Sequence, residues 1–367
     1  MVRVQRHIAK PLGTSVKTLT CLLVVFEAAG LVHADSLVVR GKPLSDIQIV
    51  GYSEGMIEYS TAVGDFDRFS ILEVQSINVD SIDRATKFNA AEQSVGEGDP
   101  RKSVESYETA LLGARGFWSD LMRARLVQAA DESYSFETAV RNWIKIAHRD
   151  AVTASWLLPK NLPTQPSHAT RRVLKKLERA IEQSATLTER TLLETLRFST
   201  LKAMDDPAAR VLAAPLMGLI IKSSVFAPRT IDVFTTAGDL LVENADYAHV
   251  QQQVEKAIVE VPESLLPEIL LLKARVQLAS ATTPEEYLAA AFPAMRVVIH
   301  FPKHPLVGEA LILSAKAHEA SGRSPQARRL LEACIATDQA NSEIKSEAAH
   351  LLKRLPQSPK QIENESS

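Results

Sequence analysis

Ser53 sits at the centre of Gly51-Tyr52-Ser53-Glu54-Gly55, a G-x-S-x-G pattern. That spacing is the nucleophile elbow of serine hydrolases, where a strand turns sharply into a helix and lifts the serine hydroxyl clear of a sheet already built beneath it. Only 16 residues separate Asp35 from Gly51, too few for the earlier strands and helix of such a sheet. The residues after Gly55 (Met-Ile-Glu-Tyr-Ser) alternate like a second strand, and no HGGG-type oxyanion segment is present. The competing reading is a hairpin turn with Gly55 at positive φ, both glycines serving chain reversal and Ile47/Ile49 facing Ile57/Tyr59 on paired strands. We adopt the hairpin and assign no catalytic residue.

The other chemical candidates also weaken on inspection. His148-Arg149-Asp150 has the lettering of a kinase catalytic loop, but Ser155 stands where that loop needs Asn, and no phosphate-binding glycine loop accompanies it. His300 and His304 have the i, i+4 spacing of two metal ligands, yet Pro302 and Pro305 interrupt the helix they would share. Cys334 falls at a small packing position, where a thiol is inert. No cofactor or metal is expected. Trp118, Trp143 and Trp156 are expected to pack between helices. In Arg-Arg-Val-Leu-Lys-Lys-Leu-Glu-Arg-Ala-Ile, the residues Arg172, Lys175, Lys176 and Arg179 form a basic stripe opposite Val173, Leu174, Leu177 and Ile181. Such stripes are commonly solvated faces; in an acidic chain this one is a candidate for docking an anionic partner.

The elements that would position these residues follow two grammars. Between residues 36 and 82, Leu37/Val39, Ile47/Ile49, Ile57/Tyr59 and Phe69/Ile71 alternate, with Gly41, Gly51, Gly55 and Gly64 as punctuation, four of the chain's 14 glycines. A meander of four or five strands follows, resembling a small SH3-like barrel. Beyond Ile82 the pattern is helical, with brief breaks at Gly, Pro or Asp, and predicts antiparallel helical hairpins. Pro159, Pro163 and Pro166 mark a connector near residues 157–168.

The helical part repeats a spacing. Ala91, Ser103, Tyr107 and Ala110 in one segment correspond to Ala315, Ala327, Leu331 and Cys334 in another, with Gly322 at the turn. A third copy uses Gly238, Val250, Val254 and Ala257, closed by Pro262. Small residues at such positions let helix axes approach closely. This resembles the tetratricopeptide repeat (TPR) family, and Phe301-Pro302-Lys303-His304-Pro305-Leu306-Val307-Gly308-Glu309-Ala310-Leu311 is similar to the inter-repeat joint of bacterial envelope members. The resemblance implies a right-handed solenoid of helical hairpins over residues 84–355; together with the strand pattern, the chain is expected to be mainly α, the solenoid preceded by a small all-β domain at 35–83. It covers 230–353 best and 86–148 less closely; residues 150–229 are helical without a clean repeat. Residues 356–367 read as a polar, frayed tail.

The N-terminus reads as an export signal over residues 1–34. Arg3, Arg6, Lys10 and Lys17 precede or enter an apolar run, and Val32 and Ala34 supply a small-residue cleavage pattern; Glu27 within the run departs from it, and an uncleaved N-terminal helix is the alternative. Cleavage removes four basic residues and one acidic residue from 42 and 44, leaving 38 against 43 and a net charge of −5, which argues against general nucleic-acid binding. It also removes Cys21 and leaves Cys334 alone, so no internal disulfide forms. The expected function is that of an exported, periplasmic or secreted, non-catalytic scaffold binding a protein or peptide through a repeat groove. An enzyme with an unrecognised site and a cytoplasmic TPR adaptor are the alternatives.

Overall fold

The computed structural model describes residues 35–80 and 85–355. The export-signal reading and the tail fall outside them. Among the described residues, five strands and 15 helices form one unit. The strands are β1 (Asp35–Val39), β2 (Lys42–Ser53), β3 (Met56–Thr61), β4 (Phe66–Ser70) and β5 (Val74–Asn78), in the spatial order β4-β3-β2-β1-β5. All neighbours are antiparallel. The 12-residue β2 serves two partners, pairing its first half with β1 and its second half with β3. The expected pairing Ile49↔Tyr59 is present, and Tyr52↔Ile57 and Ser53↔Met56 complete the hairpin.

Alternation puts Leu37, Ile47, Ile49, Ile57 and Tyr59 on one face, all at most 4% exposed. That face has no core to itself. It packs against Phe88 and Ala91 of α1 (Ala85–Gly96), Tyr107 of α2 (Pro100–Leu111) and Leu121 and Met122 of α3 (Gly116–Glu132) in a single apolar cluster. The change of grammar near residue 83 is therefore a change of secondary structure, and one core crosses it.

A buried ion pair ties this core together. Arg125 on α3 donates to both carboxylate oxygens of Glu92 on α1 at 2.7 Å, and also to the carbonyls of Val74 and Gln75 in β5. Glu92 in turn accepts from the Tyr107 hydroxyl at 2.6 Å and from the Ile77 amide at 3.0 Å. Burial alone would lower the Arg125 pKa, but the Glu92 charge overrides it and holds the guanidinium protonated. No helical or strand pattern announces this network, because its members share no local period.

The remaining helices are α4 (Phe136–Ala147), α5 (Ala151–Trp156), α6 (His168–Gln183), α7 (Leu187–Ala203), α8 (Ala208–Ser223), α9 (Pro228–Glu243), α10 (Tyr247–Glu260), α11 (Leu266–Ser280), α12 (Pro284–His300), α13 (Val307–Ala320), α14 (Ser324–Ala336) and α15 (Ser342–Arg354). Their starts follow from side chains that satisfy orphan amides: Asp150, Ser167, Thr186, Thr283 and Asn341 each accept a hydrogen bond from the amide three residues on. Thr283 and Glu286 form a reciprocal capping box. Among the described residues, no helix is long and apolar enough to cross a membrane.

The expected repeat positions are packing positions. Ala91, Ser103, Tyr107, Ala110, Val250, Val254, Ala257, Ala327 and Cys334 are fully buried, and Ala315 and Leu331 are 2% exposed. Gly322 turns the chain at φ +79° between α13 and α14. Pro262 is exposed and precedes a short 3-10 turn at Glu263–Leu265. Gly238 is buried on α9. A Cβ there would lie 2.7 Å from a methyl of Leu272, so the bare glycine admits α11.

Candidate functional site

The two sequence motifs that looked most like chemistry meet in space. The β2–β3 turn is formed by Glu54 (φ 51°) and Gly55 (φ 75°), two positive φ values in succession, as a two-residue hairpin with right-handed strand twist requires. Gly51 lies back in the strand rather than in the reversal. It faces Glu58 after a register shift, and a Cβ there would run into the Glu58 carboxylate. The hairpin tip rests on the helical block, where Gly55 sits against the Trp156 ring and Thr153.

Asp150 of the His-Arg-Asp run holds this junction. One carboxylate oxygen accepts from the Thr153 amide at 3.0 Å and caps α5; the other accepts from the Thr153 hydroxyl and, at 3.0 Å, from the Glu54 amide. Glu54 is not glycine, so its left-handed backbone carries strain that this charge-assisted bond offsets. A cleft of about 280 Å³ opens beside it, lined by Tyr52, Asp120, Arg149 and the turn. Tyr52 is 7% exposed, and among the described residues its buried hydroxyl has no hydrogen-bond partner. Burial, reinforced by the carboxylates of Asp150 and Asp120, raises its pKa well above that of an ordinary phenol.

None of this arms Ser53. Its hydroxyl is exposed and donates to Glu58 at 3.0 Å, and strand, turn and strand replace the strand, turn and helix of an elbow. No histidine lines the cleft among the described residues. His148 pairs instead with Glu189 at the start of α7.

His300 ends α12 exposed, while His304 sits in the following turn 3.8 Å from Glu268, so the two do not converge. Among the described residues, no group of three or more potential ligands could hold a metal ion. Cys334 is fully buried, its thiol donating to the Gly308 carbonyl at 3.4 Å, and burial pushes its pKa up.

The basic stripe divides. Arg172 and Lys176 bond Glu137 of α4 at 3.0 and 2.9 Å and so help dock α6 on α4, whereas Lys175 and Arg179 face solvent. Val173 and Leu177 are buried beneath, as the apolar stripe requires. Trp143 is fully buried, donating to the Ala154 carbonyl at 2.9 Å, and Trp118 packs on Phe117. Trp156 departs from the expectation of packing between helices. It is 42% exposed and, with half-exposed Leu72, walls a second cavity of about 270 Å³. The proline-rich connector also borders this cavity. It is held in place by buried Asp131, whose carboxylate accepts from the amides of Lys160 and Asn161. Sequence spacing carries no sign of that anchor, 29 residues upstream of its partner.

No protein-family model matches the chain, and no curated protein shows significant similarity to it.

Proposed function

We propose that the protein is an exported, non-catalytic scaffold of TPR-like helical hairpins, binding a protein or peptide across its repeat surface. One observation carries the reading. Arg275 on α11 donates at 2.8 Å to Asp239 on α9, 36 residues earlier, and at 2.8 Å to Glu309 on α13, 34 residues later. Lys316 then bonds Glu347 of α15 at 2.9 Å. Residues about one repeat apart are thus joined side by side, which supports a surface that continues from hairpin to hairpin. Extended faces of this kind suit recognition of another chain, and the export reading implies a partner in the cell envelope.

The test is affinity capture from an envelope extract with the wild-type chain and with Asp232→Lys/Thr236→Arg, which alters the face of α9 that also carries Asp239. A partner retained by the wild type and lost by the variant is expected, with the mature scaffold itself beginning near Asp35. Reproducible absence of any partner, together with substrate turnover by the purified protein, would overturn the scaffold reading.

A further inference from the structure

Helices α2, α3 and α4 wall a cavity of about 590 Å³ away from the hairpin junction. Its charged lining comprises Arg123 on α3, Arg141 and Lys145 on α4, and Glu105 and Glu108 on α2. Arg141 is bonded to Glu108 at 2.5 Å, and Glu105 is exposed at the rim. Lys145 has no hydrogen-bond or ion-pair partner among the described residues. Among the described residues, Arg123 has a single weak bond, to the Asn142 side chain at 3.3 Å, and its buried Nε has no partner. Asp120, the carboxylate acting on Arg123, is itself bonded to Arg149 at 2.7 Å.

A half-buried cation, Arg123, and an exposed one, Lys145, therefore share this lining with no carboxylate bonded to either among the described residues. Although Lys145 is exposed, partial desolvation along the cavity wall lowers its pKa, and the neighbouring Arg123 and Arg141 lower it further. Arg123 is likewise shifted down, first by burial. Two like charges side by side in a concave lining, one of them half-buried, repel each other, and a bound anion would relieve them. The lining also holds Leu111 and fully buried Leu126, and Leu112 is 67% exposed beside them.

We propose that this cavity binds a phosphomonoester, its phosphoryl group held by Lys145 and Arg123 and its organic group laid over Leu111 and Leu112. A phosphomonoester carries roughly −1.5 to −2 charges at neutral pH, which matches two cations that lack a bonded acid, and its three oxygens accept from ammonium and guanidinium donors together. The apolar lining favours an ester over the free ion, because inorganic phosphate would leave the leucines uncovered. The site lies apart from the repeat surface above and does not depend on the scaffold reading.

The experiment is isothermal titration of the full chain with phenyl phosphate, inorganic phosphate and benzoate. Phenyl phosphate is expected to bind saturably and more tightly than either of the others. Lys145→Met should weaken it about tenfold or more, the scale of one lost bond to a charged group. Leu112→Ser should weaken phenyl phosphate alone, and Lys175→Met on α6 should change nothing. Thermal melts without ligand identify any variant that fails to fold, in which case Lys145→Gln replaces it. Absence of saturable binding, unchanged affinity in a folded Lys145 variant, or benzoate binding as tightly as phenyl phosphate would each overturn the assignment.

Discussion

The Asp150 carboxylate accepts a hydrogen bond from the Glu54 amide across 96 residues of sequence, joining the tip of a β-hairpin to the first turn of α5. Because the same carboxylate caps α5 through Thr153, its loss should remove both restraints at once. Asp150→Ala is expected to cost about 2–3 kcal/mol, roughly 1 from the cap and the rest from the charge-assisted bond. Ser53→Ala should change stability by less than about 0.5 kcal/mol, as an exposed surface change does. Urea unfolding of both variants checks the pair, and equal costs would refute the anchoring role.

The Glu92–Arg125 pair makes a sharper demand. Arg125→Met leaves a carboxylate that is 3% exposed without its countercharge and should cost about 3–5 kcal/mol. Replacing both residues, as Glu92→Leu with Arg125→Met, should recover part of that loss, since no unpaired charge then remains. Chemical denaturation of the two singles and the double gives the coupling, and a strictly additive cycle would show that the pair does not act as a unit.

Glu137 predicts an acid-side effect. Bonds from Lys176 and Arg172 hold its carboxyl down at about 2, against an ordinary value of 4.5. A depressed folded pKa contributes stability that is present above pH 4.5 and disappears as the pH falls toward 2. The pair is largely exposed, so the contribution should stay below about 1 kcal/mol. Glu137→Gln should therefore be less stable than the wild type at pH 6, with the two converging near pH 2. Melts across that range, in low and high salt, test it; a gap that persists at the acid end contradicts the assignment.

Two glycines should differ in what they tolerate. At Gly308 a Cβ would meet the Ala340 Cβ at 2.7 Å and its Cα at 3.2 Å, atoms that cannot swing aside. At Gly238 the obstacle is the end of the Leu272 side chain. Gly308→Ala is expected to cost about 1–3 kcal/mol by overpacking. Gly238→Ala should cost less, because Leu272 can adjust and alanine gains roughly 1 kcal/mol of helix propensity. Thermal melts that reverse this order would mean that α14 and α15 yield more readily than α11.

Period and punctuation make the elements legible from the residues alone. Alternating Ile47/Ile49 and Ile57/Tyr59 can bury one face only as paired strands, and the small residues from Ala91 to Cys334 can recur at that spacing only on closely packed helices. These are short-range constraints, written in neighbouring residues: strands then helices, a turn at Glu54-Gly55, and buried repeat positions. Partner choice over long separations is of another kind. That Asp150 meets Glu54, Arg125 finds Glu92, Gly238 admits Leu272 and Asp131 holds the connector depends on how completed elements dock. A polar side chain carries no local period announcing the group it will satisfy, so those contacts exist only once the elements have packed, and only that packing gathers Arg123 and Lys145 in one cavity.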